Sequence, residues 1–444
     1  MSTRLFLRTA VATAIAGCLS LSAHGADDSL TWNGITLYGT YSIGVAYQNH
    51  GAPLSSYMGQ GIPYMLGKMN NKSQTSLAPN ANGWSRIGLR GKENITEGLD
   101  FIFNAEIGFQ PQSGNLSDAL KSLVANNGVP LARQTSATDS ARAGQLFNGP
   151  AYAGISSTDY GVFTLGRQNT VATDLTSRFD PMDNAVAFSI LGYSGVPGAI
   201  GYTEDKVYDS SLKYAYKYDR FHVSGIYQPS KVDSQPGKGW QIGGGFDYGP
   251  FAIDAAYGEK NTALSLASLS AAQVTAGLRM DSLSATVADT SGWVVGAKLD
   301  FDAWKLFGGH ERIAYSNPSN PLSAGFAGMG GYWISAINNT AFPHDKILQI
   351  DWLGAKYFFS KQFDIAAAWY HYDQNAYGAK ACSNTSEANC SGTENIYSVR
   401  LDYRLNKRVD VYGGVSYVKL NDGLASGYLH NSVYTPIVGF RIQF

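Results

Sequence analysis

The sequence predicts an all-β fold: a transmembrane antiparallel β-barrel of 16 strands, joined by short turns at one end and long loops at the other. Three observations carry this. Apolar residues recur with a period of two in about sixteen segments, as in strands with one face toward an apolar phase and the other toward water. Short and long connections alternate along the chain. No stretch approaches the roughly 18 consecutive apolar residues of a membrane helix, yet only 15% of the 444 residues are charged, against roughly 25% in soluble domains.

Residues 1–25 read as an export signal. Arg4 and Arg8 supply the positive start, "TAVATAIAGCLSLS" the apolar core, and Ala23-His24-Gly25 the small-residue exit. "IAGC" at Ile15–Cys18 is an alternative, lipoprotein-type box. Cleavage after Gly25 leaves residues 26–444, with 31 basic against 34 acidic residues, a net charge of −3. That balance, with no basic run, gives no sign of a nucleic-acid partner.

The first strand is "ITLYGTYSIGVAYQ", where Ile35, Leu37, Tyr41, Ile43, Val45 and Tyr47 share a face opposite Thr36, Thr40, Ser42 and Gln48. The same pattern places strands near 35–48, 84–93, 98–110, 150–157, 161–168, 207–218, 220–228, 238–248, 250–260, 291–301, 304–315, 345–358, 362–374, 393–405, 408–419 and 433–444. The last segment sets Pro436, Val438, Phe440, Ile442 and Phe444 on one face. Seven short turns, such as "STDY" and "GP", alternate with eight long links, so both chain ends fall on the short-turn side. A sheet in lipid leaves no backbone group unpaired only if it closes, so the first strand must pair with the last. Tyr47, Tyr248, Phe301, Trp304, Tyr357 and Tyr417 sit at strand ends, where aromatic girdles form.

With the apolar face outward, strand parity points Arg86, Arg90, Lys92, Lys213, Lys217, Lys298, Lys356, Arg400, Arg404 and Arg441 into the lumen, with Glu106, Asp209, Asp247, Asp254, Asp300 and Asp402. Arg167, near a strand end, has no assigned direction. The excess of inward bases hints at a mild anion preference. Cys382 and Cys390, eight apart in the polar "CSNTSEANC", most simply form a disulfide stapling one loop; a metal there needs two more ligands, and none lies nearby. No G-x-S-x-G occurs, and "GGGFD" at Gly243 sits mid-strand rather than opening a helix. The six histidines after the signal are scattered. The chain is read as no enzyme, with no cofactor and no metal.

"ITLYGTYSIGVAY", "SRIGLRGKENITEGL", "AYAGISSTDYGVFTLGRQ", "LGAKYFFSKQFDIAAAWYHY" and "VGFRIQF" together resemble the general porins of Gram-negative bacteria, most closely the trimeric porins of beta-proteobacteria. The resemblance implies short periplasmic turns, long extracellular loops, a homotrimer in outer-membrane lipid and lipopolysaccharide, and a water-filled channel for passive diffusion of small hydrophilic solutes and ions. The alternative is a substrate-specific channel for a sugar or small organic anion, with inward aromatics such as Tyr38 as its track. Phe440, Ile442 and Phe444 look like the signal read by the barrel assembly machinery. The resemblance also implies that the third long loop, 169–206, folds into the lumen as the constriction. Its acids Asp174, Asp180, Asp183, Glu204 and Asp205 would then face the basic wall across the narrowest point, setting up a transverse field. The links at 111–149 and 261–290 are long for the family, and the second has room for an extra hairpin or short helix.

Overall fold

The computed structural model describes residues 30–57, 71–136, 142–191, 206–229, 237–378 and 388–444. The segment read as an export signal, Glu204, Asp205 and Cys382 lie outside the described residues. Cys390 is disulfide-bonded.

Sixteen antiparallel strands close one barrel. They are β1 Ile35–Gly51, β2 Arg86–Thr96, β3 Leu99–Gly108, β4 Ala151–Ser157, β5 Gly161–Asn169, β6 Val207–Tyr218, β7 Phe221–Gln228 and β8 Gly239–Tyr248, then β9 Phe251–Ala267, β10 Ser282–Asp300, β11 Trp304–Ser316, β12 Lys346–Phe358, β13 Phe363–Gln374, β14 Gly392–Arg404, β15 Val409–Asp422 and β16 Ser432–Gln443. The seam forms where β1 meets β16, with Ile43 opposite Phe440 and Val45 opposite Val438. Parity runs as the period predicts: Ile87, Leu89, Phe440, Ile442 and Phe444 are exposed on the outer face. Trp369, Tyr397, Tyr417 and Tyr434 stand directly opposite one another across β13–β16 as one aromatic row. Tyr417 and Tyr47 lie short of their strand ends, because β15 and β1 run on to Asp422 and Gly51. Girdle position follows the apolar band rather than the end of the ladder.

Three links differ from expectation. The link read as 49–83 contains a strand, Lys72–Pro79, paired to the upper half of β1, while β2 pairs to its lower half. Between them residues 80–85 leave the ladder through Asn80 (φ 64°) and Gly83 (φ 127°), which turns Trp84 toward the lumen. The link read as 261–290 is mostly ladder, since β9 and β10 extend to Ala267 and from Ser282 around a bulge between Lys260 and Ala263; a short helix Ala271–Thr275 closes it. The link after β11 carries a hairpin, Phe326–Met329 and Tyr332–Asn338, whose second strand runs parallel to the start of β10. With helix α1, Ala119–Val124, these loops bury an apolar cluster of their own at the long-loop end, separate from the main cluster inside the barrel.

Candidate functional site

Helix α2, Val171–Phe179, follows β5 and starts at Thr170, whose hydroxyl accepts from the Thr173 amide. Its residues Val171, Ala172, Leu175 and Phe179 are buried, as are Met182 and Ala185–Leu191 after it. An apolar segment inside a water-filled barrel needs an apolar seat, and glycines in the wall provide it. A Cβ built on Gly243 would stand 2.7 Å from Val171 Cγ1, and one on Gly296 2.7 Å from the Phe179 ring. On Gly354 it would meet Pro181 Cβ at 2.4 Å, and on Gly414 Phe188 Cε1 at 2.6 Å. Glycine inside a strand commonly marks such close approach, and this is the signal in "GGGFD" that chemistry did not absorb.

Polar ties lock the segment to the same wall. Lys213 Nζ donates to Asp174 at 2.5 Å. Arg178 pairs with Asp254 at 2.8 Å and with Asp247, and sits 3.1 Å from His222 Nε2. Trp352 Nε1 donates to the Phe179 carbonyl at 3.0 Å. Asp183 takes Lys356 and, at 2.8 Å, Arg400.

The acids of this segment therefore do not oppose the wall across an open gap. Asp180 is 1% exposed and accepts from Tyr370 Oη at 2.7 Å and from the amides of Met182 and Asn184. It braces the turn rather than facing the channel. Burial pushes its carboxyl up despite those bonds. Burial would raise Asp183 too, but Arg400 and Lys356 outweigh it and hold that carboxyl at about 2. On the wall, Lys213, Lys356 and Arg400 are held by the segment, Arg404 by Asp364 and Arg441 by Asp410 at 2.7 Å. Lys217 lies 4.0 Å from Asp247, and Lys298 lies 5.9 Å from the Phe179 ring. Arg167 turns inward onto Asp209. On β2, Lys92 meets Asp100 at 2.8 Å and Arg86 stands 3.5 Å from Glu106. Arg90 lies over the Tyr38 ring at 5.6 Å and has no carboxylate partner among the described residues.

An open cavity lies on the other side of the segment. Arg86, Arg142, Lys206 and Arg441 are its cations, Glu106 and Asp183 its acids; Ser177 and Asn184 of the inturned segment face it. Parity could not find Arg142 or Lys206, which arrive from loops. Arg142, 2% exposed, donates to Glu106 at 2.7 Å and to Asn148 at 2.8 Å. The Trp84 ring receives Lys206 Nζ at 3.7 Å and the Arg142 guanidinium at 5.0 Å. Burial, then the Arg142 and Arg86 charges, push the Lys206 ammonium well below the usual lysine range, with Glu106 pulling the other way.

A sequence profile described as Gram-negative porin matches residues 9–423. An outer membrane porin protein of Bordetella pertussis is 24% identical over 293 residues, covering 55% of this chain and 68% of that protein. Among solved structures, an anion-selective porin from Comamonas acidovorans superposes with a TM-score of 0.61 at 16% identity, over 92% of this chain and 99% of that one. OmpT of Vibrio cholerae in its trimer form does so with a TM-score of 0.55 at 12% identity, over 92% and 99%. These two likenesses are of fold.

Proposed function

This chain belongs to the Gram-negative porin family and forms an outer-membrane channel for passive diffusion, and from that premise we propose that residues 170–191 are its constriction and that small anions pass it preferentially. The observation that carries this is the lining of the cavity: four basic side chains to two carboxylates, with Arg441 also held by Asp410 and Asp183 also shared by Lys356 and Arg400 outside it. From Arg86 in the cavity the positive wall continues along β2 through Arg90 toward the periplasmic turn, with Lys92 beyond it paired to Asp100. Such a lining lowers the cost of moving an anion through and raises it for a cation. The chain works as a channel rather than as an enzyme. We infer that it sits in outer-membrane lipid and lipopolysaccharide as a homotrimer; the trimer is supported by the trimer form of the Vibrio cholerae outer membrane protein OmpT, which shares its fold.

Selectivity tests this directly. A unit charge about 5 Å from an ion is worth roughly 0.8 kcal/mol in a water-like medium. Each arginine favours an anion and disfavours a cation by about that amount, so replacing Arg86 alone by methionine is expected to lower the anion-over-cation permeability ratio by about tenfold at low salt and less at high salt. An unchanged zero-current potential across a salt gradient removes the proposal.

The depressed Lys206 ammonium adds a pH dependence. As pH rises through its lowered titration range the charge is lost, so anion preference falls on the alkaline side at a lower pH than an ordinary lysine allows. The Lys206→Met channel is expected to lack that step in a pH series of reversal potentials. A step of equal size in the variant assigns the titration elsewhere.

A further inference from the structure

The long loops of this barrel do more than fringe its mouth. The loop after β3 is rooted between β3 and β4, and the hairpin-bearing loop between β11 and β12. In a ring of sixteen strands those roots are eight strands apart in either direction, on opposite walls. Strands spaced about 4.8 Å apart and tilted about 40° give a barrel roughly 30 Å across. Yet Tyr332 Oη of one loop donates to Asp118 Oδ2 of the other at 2.5 Å. Chain rooted on opposite walls and touching must cross the opening between them.

The extended β9–β10 hairpin joins the same crossing, six strands from the first root. The Asn127 side chain donates to the Ser282 and Met280 carbonyls at 2.6 and 2.8 Å and accepts from the Leu269 amide at 2.7 Å. Leu120 and Leu123 of α1 are buried in one cluster with Leu264, Leu283, Phe326 and Ile334. Asp118 also caps α1 through the Lys121 amide at 3.0 Å, so one carboxylate fixes the helix and its partner loop together.

We propose that these three loops form a fixed roof across the extracellular mouth, which excludes wide solutes from the axis and leaves the constriction to discriminate among the narrow ones. A roof with its own buried apolar seam does not swing freely, because opening it would expose that seam and strand the Asn127 and Asp118 groups. Small ions pass beside it and feel only the constriction, whereas bulky solutes meet it first.

Two measurements test this. A Cβ built on Gly330 would stand 2.2 Å from Ala143 Cβ, across the two opposed loops, so the loops must part by about 1.6 Å to reach the roughly 3.8 Å Cβ separation of a disulfide. In the double variant Ala143→Cys, Gly330→Cys, a spontaneous cross-link is expected in most channels, with small-ion conductance kept within about twofold. No cross-link in correctly folded, heat-modifiable protein, or a severalfold loss of small-ion current on locking, overturns the proposal. The second variant replaces residues 263–287 by Asn-Gly. In liposome swelling, tetrasaccharide flux is expected to rise about fivefold or more relative to monosaccharide flux. An unchanged ratio in a variant that assembles also overturns it. If that variant does not assemble, the cross-link and its conductance decide.

Discussion

Arg400→Met is expected to release the inturned segment and turn a steady current into a noisy, gating one, at a local cost of about 3–5 kcal/mol. Arg400 is 2% exposed. It donates to Asp183 at 2.8 Å and to the Met182 carbonyl at 2.5 Å, and its Nε lies 2.7 Å from Asp402. Asp402 is itself 2% exposed, so methionine leaves a buried carboxylate without its cation. Arg400→Lys keeps the charge but not the fork, and so restores only part of the loss. The readouts are the temperature at which the folded form disappears on gels and the noise of single channels. Wild-type values in both would show that the segment is held elsewhere.

The same tether sets an acid limit. Asp183 sits below its ordinary value, so its contribution is complete above the ordinary carboxylate pKa, near 3.9, and is lost only as pH falls through about 2. Channels are accordingly expected to keep a steady current on mild acidification, and an onset of noise well above that limit must come from other groups.

Gly354→Val is expected to unseat the segment by force of packing alone. The new Cβ would stand 2.4 and 2.5 Å from Pro181 Cβ and Cγ and 2.8 Å from the Ala367 carbonyl. A pyrrolidine ring on one side and backbone on the other cannot rotate away, so overpacking of about 1–3 kcal/mol falls on the contact between segment and wall. With Pro181 lifted off the wall toward the open cavity, the constriction narrows and conductance falls, by roughly twofold. Gly308→Val is the control. Gly308 is on the neighbouring strand, and its nearest neighbours, the Trp352 carbonyl and Leu353 Cδ1, are 3.6 and 3.7 Å away. That channel should conduct as wild type. If both variants behave alike, the glycine seats do not position the segment.

The strand ladder was legible because lipid and water act on each side chain separately. Ile87 and Leu89 turn outward and Arg86, Arg90 and Lys92 inward whatever the rest of the chain does, so parity alone orients them. Closure was equally legible, since an open edge in lipid is prohibitive. The stretches 263–267 and 282–287, within the link read as 261–290, also alternate, in Leu264, Leu266, Leu283, Ala285 and Val287, and they extend the ladder beyond the length a bilayer requires.

The site was far less legible. Parity names which charges face inward but not which ones meet. Asp183 and Arg400 are 217 residues apart, Tyr332 and Asp118 are 214, and no local pattern encodes such a distance. Arg142 and Lys206 have no period to betray them, since a loop residue's direction is set by what the loop packs against. By itself the sequence determined a closed cylinder, its two solvents and the face each strand residue shows, all consequences of short-range periodicity in an anisotropic medium. The tertiary structure alone decided which opposite charges neutralise each other, which cations stay open to passing ions and which loops cross the mouth, because those are settled by close contact between chain segments that only folding brings together.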